Sequence, residues 1–139
     1  MSKKIFNTVV AVLSLVMGGL IYLVFRENTF VARRFEVFVD LEKIRNIFLS
    51  FDNSVLRHYI PDFLWAFSLC CGLNVLLDNV FLNASIAFTC GAVWEMLQYL
   101  GTINGTGDII DIIMYLTACV MVVTINKYFF KEKKNEKTY

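Results

Sequence analysis

Four acids stand where a polypeptide rarely keeps them: Asp62, Glu95, Asp108 and Asp111 lie inside or at the ends of long apolar segments. A charged side chain at membrane depth costs at least about 2.5–3.5 kcal/mol, so it usually faces a protein interior or a water-filled cavity and marks a functional site. Carboxylates gathered in such a place can do two kinds of chemistry. They can hold a hard cation such as Mg²⁺ or Ca²⁺, which then grips a phosphate. Alternatively, one carboxyl carries a proton and acts as acid while its neighbour stays ionised and acts as base. Glu95, Asp108 and Asp111 are the candidate catalytic residues. Gln98, Asp62, His58, Arg57, Thr106 and Tyr115 are the candidate binding residues, and the sequence names no definite metal-ligand set.

Positions three and four apart share a helix face. Glu95 therefore lies with Gln98 and Tyr99, and behind it come Gly91, Ala92, Phe88 and Ala87. Small residues such as Ala87 and Gly91 let helices approach closely, which turns Glu95 into a bundle and away from lipid. Asp62 shares a face with Ala66 and Cys70. Asp108 and Asp111 open a stripe that continues to Tyr115, Ala118 and Cys119.

The elements that must hold these residues are membrane spans. The chain has 139 residues, 58% of them hydrophobic, with one proline and thirteen phenylalanines. Its mean hydropathy of +0.61 does not describe a soluble domain. Residues 5–25 carry no charge, which is about the 20 residues a helix needs to cross roughly 30 Å of hydrocarbon. Lys3 and Lys4 before that run resemble a secretory signal, but the run is too long and lacks a small-x-small cleavage site, so it reads as a retained helix. Further spans are expected at about 60–77, 81–100 and 109–130. The expectation is a single all-α membrane domain of four transmembrane helices.

Between the first and second spans, Val37, Leu41, Ile44, Phe48, Phe51 and Val55 recur at spacings of three and four. This predicts an amphipathic helix over about 36–56, lying in the interface or capping the bundle. Its start alternates partly like a strand over 35–40. The second and third spans are joined so tightly, near Asp78 and Asn79, that they must form an antiparallel hairpin. The third and fourth are joined through Gly101, Gly105 and Gly107, which permit a tight turn.

Four spans put both termini on one side. Seven lysines lie at the termini and six basic residues in the first long loop, a narrow margin that favours cytoplasmic termini. This topology gathers Asp62, Glu95, Gln98 and Asp108 at one membrane face, with Arg57, His58 and Tyr59 beside them. With cytoplasmic termini that face is the outer one.

Plainer roles compete for several of these residues. Asp62, Asp108 and Asp111 begin helices, where a carboxylate satisfies free N–H groups and complements the dipole. Glu95 ends a helix and has the opposite dipole sign, which makes it the strongest functional candidate. His58 beside Arg57 and Tyr59 fits an interfacial residue. Cys70, Cys71, Cys90 and Cys119 fall near span centres without metal spacing and read as small packing residues. The charged tail 131–139 reads as a solvated end beside anionic lipid. No phosphate loop, dinucleotide fingerprint, zinc motif or serine elbow is present, and nothing supports nucleic-acid binding.

Glu95-x-x-Gln98, the turn Gly105-Thr106-Gly107 and Asp108-x-x-Asp111 entering the last helix resemble the VanZ-like family of small bacterial membrane proteins. The resemblance covers roughly the last third of the chain. His58 and Asp62 resemble the family's earlier Asp-x-x-x-His element in reversed order. Two departures stand out: Thr106 and glycines occupy a turn where the family often has arginine, and Tyr115 stands where it has asparagine. The resemblance implies a multi-pass protein of the bacterial plasma membrane, linked through the family's namesake to glycopeptide resistance, with no settled activity. The expected role is recognition or modification of an envelope lipid or envelope-active compound, catalysis left open. The alternatives are a non-catalytic subunit that assembles with itself or a larger membrane partner, and a small ion pathway. Against the last, the middles of all four spans carry no ionisable group other than cysteine.

Overall fold

The computed structural model describes residues 2–25 and 58–135 of the chain. The amphipathic segment expected at 36–56, and Arg57, lie outside them. Among the described residues the regular structure is entirely helical: α1 (Lys3–Phe25), α2 (Ile60–Leu76), α3 (Val80–Tyr99) and α4 (Ile109–Asn135). Three of these, α1, α3 and the Ile109–Phe130 part of α4, are long and apolar enough to cross a membrane. The described part of the chain is thus all-helical, with the makings of a membrane protein.

Local chemistry sets the ends of α2 and keeps it short. Pro61 sits in its first turn, where the missing N–H is not needed. Leu77 is already extended (φ −120°, ψ 140°), with its N–H closing on the Leu73 carbonyl at 2.8 Å. The 17 residues between reach about 25 Å at 1.5 Å per residue, less than a typical hydrocarbon core of about 30 Å. Asn79 then caps α3, its side-chain oxygen accepting from the Leu82 N–H at 3.1 Å. A turn this compact forces α2 and α3 antiparallel.

α3 closes on a glycine. Gly101 adopts φ +69°, its N–H donates to the Gln98 carbonyl at 2.9 Å, and the Thr102 N–H donates to Leu97 at 3.0 Å, the paired bonds of a Schellman cap. α4 runs on to Asn135, past the boundary near 130 expected from hydropathy. Lys131, Glu132, Lys133 and Lys134 are good helix formers, so leaving the apolar stretch does not end the helix. The first part of the expected tail is therefore helical.

α1 packs chiefly on α2, α2 on α3 and α4, and α3 on α4. The core is built from Ala66, Cys70, Cys71, Ala84, Ala87, Ala118, Cys119 and Val122, with Tyr115 at one end. Most are small, which lets the helices approach closely. Cys70, Cys71 and Cys119 pack as expected, whereas Cys90 faces outward. Large apolar side chains such as Leu13, Met17, Phe81 and Leu116 stay more than half exposed, the pattern of a surface meant for lipid.

Two asparagine pairs tie the helices at the end that carries both termini. Asn7 of α1 and Asn126 of α4 exchange amide hydrogen bonds at 3.0 and 3.2 Å, and Asn83 of α3 donates to Asn74 of α2 at 2.7 Å. All four are buried. Between α1 and α2, the Ser68 hydroxyl donates to the Ala11 carbonyl at 2.7 Å.

Candidate functional site

The opposite end of the bundle holds the acids. The antiparallel order brings the start of α2, the end of α3 and the start of α4 together, and Tyr115 joins them. Its hydroxyl lies 2.9 Å from Glu95 Oε1 and 3.2 Å from Asp62 Oδ1. A phenol has one proton to donate, so Tyr115 serves one of the two carboxylates at a time. Glu95 is buried, 4% exposed, and its other oxygen accepts the Asp108 N–H at 3.1 Å. The α3–α4 turn is thereby pinned to the last turns of α3.

Glycine makes this arrangement possible at two places. A Cβ at Gly91 would run into the Tyr115 ring, so the aromatic lies directly against α3 one helical turn before Glu95. Gly107 lets the turn press on α3: a Cβ there would stand 2.8 Å from the Glu95 carbonyl oxygen and from Tyr99. Ala87, fully buried, continues the same stripe. The small-residue face expected on α3 is used inside the chain, against α4.

Asp108 has a capping role of the kind its position predicts, accepting the Ile110 N–H at 2.9 Å. Its second oxygen lies 3.5 Å from the Tyr59 hydroxyl, a long contact. Partial withdrawal from water, followed by the negative Asp108 and Asp111, pushes the Tyr59 phenol above its ordinary range. Asp111 is half-buried in the first turn of α4, one turn before Tyr115.

The other expected binding residues spread out. Gln98 does not join the carboxylates among the described hydrogen bonds; its side chain lies against Gly105, where a Cβ would collide with it. Thr106 is exposed in the turn. His58 is exposed, its ring 6.4 Å from that of Tyr59, and no described hydrogen bond links it to the acids. For the divalent cation, no group of three or more His, Cys, Asp or Glu converges among the described residues.

Beside the acids lies a cleft of about 440 Å³. Asp62 and Tyr115 form its polar end, Trp65 and Trp94 flank it, and Ser14 and Gly18 of α1 form its far wall. The Trp65 ring meets Tyr115 edge-on at 6.1 Å. Gly18 brings α1 close to α2, since a Cβ there would stand 3.3 Å from Leu64. The α1 wall is the part that sequence reasoning missed, because that helix reads as an uninterrupted apolar run. The signal was present in Asn7, Ala11, Ser14 and Gly18, which recur at spacings of three and four and form one buried or half-buried face.

Chemically, the site offers an apolar trough ending in hydrogen-bond acceptors. Carboxylates and a phenol attract amines and hydroxyls and repel phosphate. The Asp62, Tyr115 and Glu95 contacts also form a chain of hydrogen-bonding groups that leads from the cleft to a buried carboxylate. No protein-family model, characterised protein or solved structure matches this chain.

Proposed function

We propose that this protein is a four-span, VanZ-like protein of the bacterial plasma membrane that recognises or modifies an amphiphile of the cell envelope, a lipid or an envelope-active compound of the glycopeptide type. The observation that carries the reading is the cleft: apolar walls run to a polar end made by Asp62 and Tyr115, with Glu95 directly behind. Its walls accept an acyl or other apolar body, and its acceptors take a head bearing N–H or O–H groups. α2 completes the bundle as a short fourth span, which a bilayer accommodates by modest local thinning. Both termini then lie in the cytoplasm and the acids near the outer face.

In this reading Asp62 contacts the head of the bound molecule, and Tyr115 gives its one hydroxyl hydrogen bond either to Asp62 or to Glu95 behind it. Asp108 holds the turn that closes over them. Catalysis, where it occurs, uses Asp62 as the proton-exchanging group at the cleft. The VanZ resemblance rests on the motif residues Glu95, Gln98, Asp108 and Asp111. Teicoplanin susceptibility of a bacterial host expressing wild type, Asp62→Asn or Glu95→Gln at matched membrane levels tests the proposal. Protection by the wild type alone supports it; equal protection by all three sinks it.

A further inference from the structure

At the end of the bundle that carries the termini, remote from the acids, a second groove of about 290 Å³ lies among α1, α3 and α4. Its chemistry is the reverse of the first. Lys3 of α1 and Lys127 of α4 supply two cations, and Val80 and Phe81 open α3 on its third side. Those two residues carry backbone N–H groups with no acceptor inside the helix, so the groove is positive from three elements. Asp78, in the neighbouring turn, does not line it. Below the cationic rim the walls are Phe81, Val123 and Phe130, with Phe81 64% exposed.

We propose that this groove binds one anionic phospholipid, its phosphate between Lys3 and Lys127 and an acyl chain along Phe81, Val123 and Phe130. A free phosphate would match the lysines and leave the apolar walls unused, whereas a lipid uses both. Burying that apolar surface against a chain and placing the headgroup at the rim also suits the position of the groove, at the ends of three helices apolar enough to cross a membrane. The lysines concentrated at the termini add long-range attraction for an anionic leaflet.

Native mass spectrometry of the full chain, released from micelles holding equal amounts of phosphatidylglycerol and phosphatidylcholine, tests this directly. The wild type is expected to retain one phosphatidylglycerol in preference to phosphatidylcholine. In Lys3→Gln/Lys127→Gln the preference should fall roughly 25-fold, about a factor of five for each lysine near an anionic surface. Lys3→Arg/Lys127→Arg should keep it, as should Lys4→Gln, which removes a charge from an exposed residue outside the groove. Equal retention of the two lipids by wild type overturns the proposal. So does an undiminished preference in the double glutamine variant, or a loss in Lys4→Gln as large as in Lys3→Gln.

Discussion

At the scale of single residues, Tyr115 links the acids. It is 2% exposed and is the group through which Asp62 and Glu95 meet. Tyr115→Phe should lower stability by about 1–3 kcal/mol, the usual result of leaving a buried acceptor without its donor. Thermal unfolding in a fixed detergent measures it, and an unchanged midpoint would show that the hydroxyl contributes nothing. Glu95→Gln should also destabilise. The two donors meet different oxygens of Glu95, and Gln presents an oxygen on one side only, so Tyr115 or the Asp108 N–H loses its acceptor there. The burial of Glu95 was legible in the sequence, because the small residues Ala87 and Gly91 on its face turn it into the bundle. The role of Tyr115 was less so: a tyrosine inside an apolar span looks like ordinary packing until the packing partners are known. Gln98 and His58 illustrate the converse. Shared face and shared membrane side put them near the acids, but a turn glycine and solvent, respectively, are their neighbours in the fold.

At the scale of elements, the contact between α3 and α4 depends on Gly91. Gly91→Ala should destabilise by about 1–3 kcal/mol, since its Cβ must displace a buried aromatic ring. Gly72→Ala is the matched control: it also lies inside a helix but has nothing within 4 Å of its Cβ, and should gain up to about 1 kcal/mol from helix propensity. Equal effects of the two changes would remove the close approach from the account. The apolar runs and their turns were readable from hydropathy and glycine placement. The limits of α2, Ile60–Leu76, lie within one residue of the expected 60–77, whereas the lysine-rich segment lengthens α4 beyond its expected end by propensity. The buried amides Asn7, Asn74, Asn83 and Asn126 were similarly hard to assign. Each is polar in an apolar run, and only the antiparallel packing shows that they meet in pairs.

At the scale of the whole molecule, two chemistries occupy opposite ends of one bundle. Acids and an acceptor-lined cleft stand at one end; lysines and buried amides stand at the other. The proposed four-span topology puts both termini in the same compartment, and it requires the 17-residue α2 to cross. Alkaline phosphatase and fluorescent-protein fusions at each terminus, and an insertion after Asn104, check this. Both termini should report the cytoplasm and the insertion the outside. Termini in different compartments would mean that α2 does not cross.

If the cleft takes an amphiphile by a donor-bearing head, the chain carries its own probe of that event: its two tryptophans, Trp65 and Trp94, both line the cleft. Their emission should be followed in phosphatidylcholine nanodiscs during titration with three single-chain amphiphiles of equal tail length, an alkyl amine, an alkyl glucoside and an alkyl phosphate. The amine and the glucoside should produce saturable shifts and the phosphate none. Asp62→Asn should weaken the amine response about 10- to 100-fold, as expected for loss of a hydrogen bond to a charged group. Identical responses to all three heads, or an Asp62→Asn protein indistinguishable from wild type, would contradict the account.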